Sequence, residues 1–223
     1  RLRASLARSC ASVLARSIAM PSTLAMAFSV LASLGRERPG RRACDPGANQ
    51  PARITHVAQF LDHHITFDST SPLGVPTSRE RTRNTRVAAL DMDSVYGGGP
   101  SVSPQLYQRE DRAKLLIESG GLFEDLPRDG NGLAIIADPR NDENMILSGI
   151  QAAWILFHNN MVDLVRDQRR ADPRDANAVF NTARIQTRWH YQTMILTHFL
   201  PVIVGQEMID DIRRRGPRFY NPR

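Results

Sequence analysis

Residues 146–165, ILSGIQAAWILFHNNMVDLV, carry the clearest structural pattern in the sequence. Apolar side chains recur there at intervals of three and four, at positions 146, 150, 153, 154, 157, 161, 164 and 165. This spacing puts them on one face of an α-helix. We therefore predict a long amphipathic helix in this region. Just upstream, Asp138 is suited to cap a helix whose first turn contains Pro139.

The same periodicity predicts helices before and after this one. Apolar residues at 57, 60, 61 and 65 predict a helix over Val57–Thr66. Two more helices are predicted over 176–198, ending at Pro201, and over 206–214. Residues 69–86 have the composition of a loop. Period-two alternation is scarce and no repeat is visible, so the predicted fold class is mainly α.

Composition excludes several classes of protein. The chain has 223 residues, 41% hydrophobic and 23% charged, which is typical of one or two globular domains. Two cysteines are too few for a disulfide-built miniprotein. No apolar run approaches the roughly 18 residues of a membrane span, so we predict no transmembrane segment. The net charge is +6, but no basic stripe interleaved with aromatics is visible, so we predict no nucleic-acid partner.

Residues 1–50 differ in composition from the rest of the chain. We assign residues 51–223 to the main domain. The segment 1–50 is rich in Arg, Ser and Ala, and its first acidic residue is Glu37. Such a composition suits a transit peptide, and Leu24–Leu34 suits the apolar part of a signal peptide. The alternative is an unstructured or artefactual leader, which we prefer. The compartment stays open, with a secreted or extracytoplasmic location favoured.

Chemically distinctive side chains occur at Gln59, Asp62 and His63 on the first predicted helix. Residues at i, i+3 and i+4 share a helix face, so an amide, a carboxylate and an imidazole are expected to project together. An imidazole can take and return a proton near neutral pH. The alternative is a polar surface stripe with a satisfied histidine.

Two further polar motifs stand out. Arg140 and Glu143 lie in DPRNDEN (138–144). An arginine there is suited to stabilise developing negative charge. The alternative is that the motif is only a capped helix start with favourable acidic residues in its first turn. Asp91 and Asp93 offer oxygen ligands for a hard cation such as calcium, and the alternative is a polar turn.

Taken in this order, the motifs resemble the animal-type haem peroxidases of the peroxidase–cyclooxygenase superfamily, especially the bacterial members. The matching stretches are AQFLDHHITFDSTSPLG (58–74), NTRVAALDMDSVYGGGP (84–100), LAIIADPRNDENMILSGIQAAWILFHNNMVD (133–163) and ARIQTRWHYQTMILTHFLPVIVG (183–205). The resemblance implies a helical peroxidase domain with b-type haem, which reduces hydrogen peroxide and oxidises a small-molecule electron donor or a halide.

The resemblance also implies a role for each site residue. His63 falls on the distal histidine, which moves a proton between the oxygens of peroxide, and Arg140 on the distal arginine, which stabilises charge. Gln59 falls on the distal glutamine, which orders water or halide. Asp62 and Glu143 fall on the carboxylates that in many members form ester links to the haem.

Some positions depart from the family pattern. His64 stands where the family has an aspartate that binds calcium, and Val87 stands at a ligand position that is usually threonine. Asp91 and Asp93 remain, so the resemblance implies a degraded calcium site at which calcium binding is doubtful.

The family's proximal histidine, the ligand of the haem iron, lies beyond the part of the family that this sequence matches. The sequence stops at Arg223, before that position. We therefore expect the N-terminal part of a peroxidase domain, truncated before the proximal-histidine region, with weak haem binding on its own. The alternative is a non-catalytic helical remnant or interaction module.

Overall fold

The computed structural model describes residues 52–216 and residue 218, without residues 69, 73, 79, 88, 120–123 and 217. The predicted leader over 1–50 lies outside these residues. The described part of the chain is mainly helical, and its only β contacts are three isolated bridges. The predicted mainly α fold class is therefore confirmed.

Six α-helices and two 3-10 turns make up the described chain. The helices are α1 (Ala52–Ile65), α2 (Asp93–Tyr96), α3 (Met145–Asp167), α4 (Ala176–Met194), α5 (Leu200–Val204) and α6 (Gln206–Arg215). The 3-10 turns span Pro104–Leu106 and Pro139–Asp142. The helices predicted from periodicity correspond to α1, α3, α4 and α6.

The start of the long helix differs from the prediction. Asp138 caps a helical turn with Pro139 in it, but this turn is the short 3-10 helix Pro139–Asp142. The long helix α3 begins separately at Met145, where the Asn144 side chain accepts hydrogen bonds from the backbone N–H of Ile146 and Leu147. Arg140 and Glu143 consequently lie before α3 and not on it.

The end of α4 also differs from the prediction. Asp175 caps its start, but the α-helix ends at Met194 and continues as a π-helical turn, Ile195–Phe199. Pro201 was expected to end this helix, and instead it lies in the first turn of α5. Pro201 has no N–H to donate, and it follows closely on the π-helical turn, where the regular α-helical hydrogen bonds are interrupted.

The core lies where α1, α3 and α4 pack together. Tyr191 of α4 contacts Trp154 of α3 and Phe60 of α1 edge to face, with ring centroids 5.4 and 6.5 Å apart. These aromatic side chains are at most 4% exposed. Each such edge-to-face pair contributes about 0.5–1.5 kcal/mol beyond the burial of its apolar area. Contacts with α4, which is itself packed on α3, therefore hold α1 in a fixed position.

His158 of α3 holds the chain around Ala113 against the core. Its ring is fully buried, with Nε2 2.9 Å from the Ala113 carbonyl oxygen and Nδ1 3.1 Å from the Tyr96 hydroxyl. Since a carbonyl only accepts, Nε2 carries the proton and Nδ1 accepts from Tyr96. Burial lowers the pKa of His158 to about 4, so the ring is neutral at pH 7. His158 is a structural residue here.

Candidate functional site

The last turns of α1 present the predicted amide, carboxylate and imidazole. Gln59 is half-buried, Asp62 is exposed, and His63 is 3% exposed. Because α1 is a regular helix, these three side chains project from neighbouring positions on its surface, as predicted. The imidazole therefore points inward, while the carboxylate remains at the surface.

The 3-10 turn Pro139–Asp142 lies against the C-terminal end of α1. Gln59 Nε2 donates a hydrogen bond to Glu143 Oε2 at 2.8 Å. Arg140 Nη2 donates to the His63 carbonyl oxygen at 3.3 Å and to the Thr66 carbonyl oxygen at 2.6 Å. The structure thus places the α1 residues Gln59, Asp62 and His63 next to the segment that carries Arg140 and Glu143.

A buried carboxylate holds Arg140 in place. Asp138 is fully buried and accepts hydrogen bonds from Arg140 Nε at 3.0 Å, from Arg140 Nη2 at 2.8 Å and from Arg86 Nη2 at 2.9 Å. Burial by itself would raise the pKa of the Asp138 carboxyl, but the hydrogen bonds from both arginines outweigh it and hold the pKa below its ordinary value. Asp138 is therefore charged at neutral pH.

Phe67 adds a second contact to both arginines. The guanidinium carbons of Arg86 and Arg140 each lie 5.0 Å from the centroid of its ring, within the range of a cation–π interaction. The hydrogen bonds that Arg140 donates to Asp138, opposed by burial, raise the pKa of Arg140, and the charges of Asp138, Asp62 and Glu143 raise it further. Arg140 is thus a positioned, permanently charged group beside His63.

Sequence reasoning missed Arg86 and Phe67, and it gave Asp138 only a capping role. Arg86 contacts Asp138 across 52 positions of sequence, and no spacing rule relates residues that far apart. The only local signal was the Asp-Pro-Arg tripeptide at 138–140, which also fits an ordinary helix start.

Asn141 is another residue that sequence reasoning missed. Its side chain is fully buried, and its Oδ1 lies 2.8 Å from His63 Nδ1. On its other side the Asn141 amide nitrogen donates to Gln151 Oε1 of α3 at 2.9 Å. The histidine of α1 is therefore connected to α3 through two buried amides.

The carboxylates Asp62 and Glu143 are exposed at the opening of this cluster. Two apolar side chains follow Glu143 closely in the chain, Met145 with 86% exposure and Ile146 with 46%. The surface beside the polar cluster thus combines carboxylates with exposed apolar side chains.

Asp91 lies in the turn just before α2, and Asp93 is the first residue of α2. Leu90 and Met92, on either side of Asp91, have φ angles of 52° and 66°, and Met92 is fully buried. Burial, with the nearby charge of Asp91, raises the pKa of the Asp93 carboxyl. The Ala89 carbonyl accepts a hydrogen bond from Gln192 at 3.1 Å. Among the residues that the structure describes, no group of three or more His, Cys, Asp or Glu side chains is placed to hold a metal ion.

His64 is buried beside this turn. Its Nδ1 lies 2.8 Å from the Phe60 carbonyl oxygen, and its Nε2 lies 3.1 Å from Ser94 Oγ. Burial lowers the pKa of His64 to about 4. His64 is therefore a neutral side chain that packs in the core and binds Ser94.

Comparison with known protein families decides the family of this chain. The family model described as animal haem peroxidase matches residues 41–223. The chain belongs to the animal haem peroxidase family. The helical fold agrees with this assignment, which confirms the resemblance found in the sequence. No curated protein gives a significant match to the chain. The family match begins at residue 41, inside the segment whose role as a leader remains a prediction.

Membership of this family implies haem binding and peroxidase chemistry in general, with hydrogen peroxide and a donor as substrates. Within the described residues, none of the helices combines the length and the apolar character that crossing a membrane requires.

Proposed function

We propose that this chain provides the peroxide-binding, or distal, side of a haem peroxidase site, at which hydrogen peroxide is reduced and a small-molecule donor or a halide is oxidised. The observation that carries the proposal is the meeting of His63 with Arg140, through the 3.3 Å hydrogen bond from Arg140 Nη2 to the His63 carbonyl. A proton carrier and a fixed cation beside each other are what cleavage of a peroxide bond requires.

The residues present fit one face of a haem. Asp62 and Glu143 are exposed carboxylates and would hold the edge of the ring, with ester links to the haem as the option that the family suggests. Met145 and Ile146 offer exposed apolar surface nearby. When bound, haem would supply the iron and the electrons for peroxide reduction. The protein ligand of the iron is neither His64 nor His158, since both ring nitrogens of each have partners within the protein.

His63 moves the proton in this proposal. Its Nδ1 is bound to Asn141, so Nε2 is the atom that takes a proton from one peroxide oxygen and returns it to the leaving oxygen. Arg140, held by Asp138, stabilises the negative charge that develops on the leaving oxygen. Gln59 Nε2 donates to Glu143, so the side-chain oxygen of Gln59 is left to accept a hydrogen bond from water.

Calcium has less support than haem. Of the ligand positions that the family pattern suggests, His64 binds Ser94 and the Phe60 carbonyl, and the Ala89 carbonyl binds Gln192. Asp91 and Asp93 alone offer two carboxylates, too few to fill the six to eight oxygen positions that calcium prefers. The proposed function therefore does not depend on calcium.

The test is turnover by the haem-loaded chain with hydrogen peroxide and a chromogenic donor. We expect His63→Ala to reduce the turnover rate by about 100- to 10,000-fold, the contribution of a general acid–base residue. We expect Arg140→Ala to reduce it as well, while the Soret band shows that haem is still bound. The control is His190→Ala on α4, because His190 binds only the Gln186 carbonyl of its own helix in the hydrogen bonds of the structure.

A second candidate function is that of a non-catalytic interaction module, which the surface of the C-terminal half favours. Several large apolar side chains are exposed there: Trp189 (59%), Leu196 (45%), Ile203 (46%), Met208 (52%) and Ile212 (48%). Exposed apolar surface of this kind is typical of protein contacts. The two functions separate in the same experiment, because an interaction module would bind haem without turnover, or not at all, and would be unaffected by the His63 substitution.

A further inference from the structure

The buried amide of Asn141 has a defined orientation. Its Nδ2 faces the Ser94 carbonyl oxygen at 3.4 Å and Gln151 Oε1 at 2.9 Å. The Gln151 amide has an interchangeable oxygen and nitrogen, but a backbone carbonyl can only accept a hydrogen bond. The nitrogen of Asn141 must therefore face Ser94. Its oxygen consequently faces His63.

Ser94 is itself held in place by the neighbouring histidine. His64 Nδ1 faces the Phe60 carbonyl at 2.8 Å, so Nδ1 carries the proton and Nε2 accepts. The Ser94 hydroxyl oxygen lies 3.1 Å from Nε2 and 3.3 Å from Nδ1 of His64, and it can accept from Asn141 Nδ2 at 3.3 Å. The Ser94 carbonyl oxygen is therefore the group that fixes the orientation of the Asn141 amide. Ser94, Asn141 and His64 are all fully buried, so water does not compete for these bonds.

We infer that Asn141 is a positioning residue for His63: its side-chain oxygen, 2.8 Å from His63 Nδ1, holds the neutral imidazole in the form with the proton on Nδ1 and a bare Nε2. The inference rests on the proposed function, because a bare Nε2 is the form that takes a proton from peroxide. It assigns that task to an asparagine on the 3-10 turn, whose amide is oriented by the Ser94 carbonyl. No other hydrogen bond of the His63 ring is found in the described structure.

Nitrogen-15 NMR of the histidine rings, recorded on the chain without haem at a pH where His63 is neutral, tests this inference. Protonated and bare ring nitrogens have well-separated shifts, and His63→Gln identifies the His63 signals by their loss. We expect the wild type to show a protonated Nδ1 and a bare Nε2. His158 is an internal reference of the opposite form, because its Nε2 is the donor. A His63 ring with its proton on Nε2 would overturn the inference without any variant.

Two substitutions separate positioning from a merely structural role. Asn141→Leu removes the acceptor, and we expect the form with the proton on Nδ1 to lose its majority at His63. Asn141→Asp keeps an oxygen facing Nδ1, and we expect that form to be retained. The control is Asn181→Leu at an exposed position on α4, which we expect to leave the His63 signals unchanged. Unchanged His158 signals show in each case that the core is intact. A His63 ring that stays protonated on Nδ1 in a folded Asn141→Leu variant would contradict the inference.

The outcome is independent of turnover. If the wild-type ring has a protonated Nδ1 but the haem-loaded chain has no peroxidase activity, the proposed function fails and the assignment of Asn141 stands. If turnover depends on His63 but the ring carries its proton on Nε2, the proposed function stands and Asn141 does not have this role.

Discussion

Gln59 and Glu143 are 84 positions apart in the sequence, and the Gln59 amide donates a hydrogen bond of 2.8 Å to the Glu143 carboxylate. This contact joins the last turns of α1 to the segment just before α3. It explains how two polar motifs that are separately unremarkable form one site. The chemistry proposed for the site depends on keeping these two segments together.

The buried Asp138 helps to hold the two segments together, because it binds Arg140. Replacing it by asparagine removes the only negative charge that Arg86 and Arg140 share in the hydrogen bonds of the described structure. Breaking a buried ion pair in this way costs about 3–5 kcal/mol, because the remaining charge is left without compensation. We therefore expect a loss of that size in the free energy of unfolding of Asp138→Asn, measured by urea denaturation at pH 7.

Asp142→Asn is the matched control. The Asp142 carboxylate pairs with Arg128 at 2.7 Å, but both side chains are partly exposed, and such a pair contributes about 1 kcal/mol or less. Equal losses in the two variants would show that Asp138 is no more important than a surface carboxylate.

The turn after α2 requires a glycine at position 97. Gly97 has a φ of +56°, and a Cβ there would lie 2.8 Å from Ser103 Oγ and 3.0 Å from Leu106 Cδ1. We expect Gly97→Ala to lower the free energy of unfolding by about 1–3 kcal/mol, from backbone strain and crowding.

Gly149→Ala is the comparison for this prediction. Gly149 lies inside α3, where a Cβ meets no atom within 4 Å. Alanine is the better helix former, so we expect Gly149→Ala to raise the free energy of unfolding by about 0.5–1 kcal/mol. A shift in the same direction for both glycines in thermal or urea unfolding would contradict the assignment of Gly97.

The buried histidines predict how stability depends on pH. Burial lowers the pKa of both His64 and His158 from 6.5 to about 4. Between these values the unfolded chain binds protons that the folded chain does not, so stability falls as the pH drops from about 6.5 to about 4. A shift of this size corresponds to on the order of 3 kcal/mol for each histidine.

Urea denaturation at a series of pH values from 8 to 4 measures this loss. Most of it should precede the acid range in which the lowered carboxylate pKa of Asp138 begins to matter, below about pH 4. We expect His64→Gln to reduce the slope of stability against pH between 6.5 and 4. A slope that is the same in the wild type and the variant would show that His64 is not neutral and buried in the folded protein.

Asn159 of α3 holds the backbone at Leu115 in place. Its side chain binds the backbone of Leu115 on both sides, with Oδ1 2.8 Å from the N–H and Nδ2 2.9 Å from the carbonyl. Leucine at 159 would leave the Leu115 N–H unpaired, at a cost of about 1–3 kcal/mol, while the carbonyl keeps the hydrogen bond from Gln108 Nε2 at 3.2 Å. We expect hydrogen exchange of the Leu115 amide to accelerate in Asn159→Leu, but not in Asn160→Leu, at the neighbouring half-buried position. Equal exchange in both variants would contradict this role.

The sequence predicted what depends on neighbours along the chain. The periodicity of α3 and α1 and the i, i+3, i+4 spacing of Gln59, Asp62 and His63 follow from helix geometry, which is local. The capping role of Asp138 was also local and correct. The placement of its helix was wrong, because Asn144 provides a second cap six residues later and starts α3 there.

The sequence could not predict contacts between residues that are far apart along the chain. Arg86 with Asp138, Asn141 with His63, and Ser94 with His64 are pairs that no periodicity relates. Their burial is also invisible in the sequence, where Asn141 looks like one polar residue of a helix start. The continuation of α4 into a π-helical turn before Pro201 was equally hidden, since proline is compatible with both the end of one helix and the start of the next.

The most direct test of the central claim is the rate at which the haem-loaded chain reacts with hydrogen peroxide in a single turnover, followed as the change of the Soret band after rapid mixing. If His63 is the proton carrier at a distal haem site, the wild type should react about 100- to 10,000-fold faster than His63→Ala at the same haem occupancy. Equal rates in the two proteins would contradict the account.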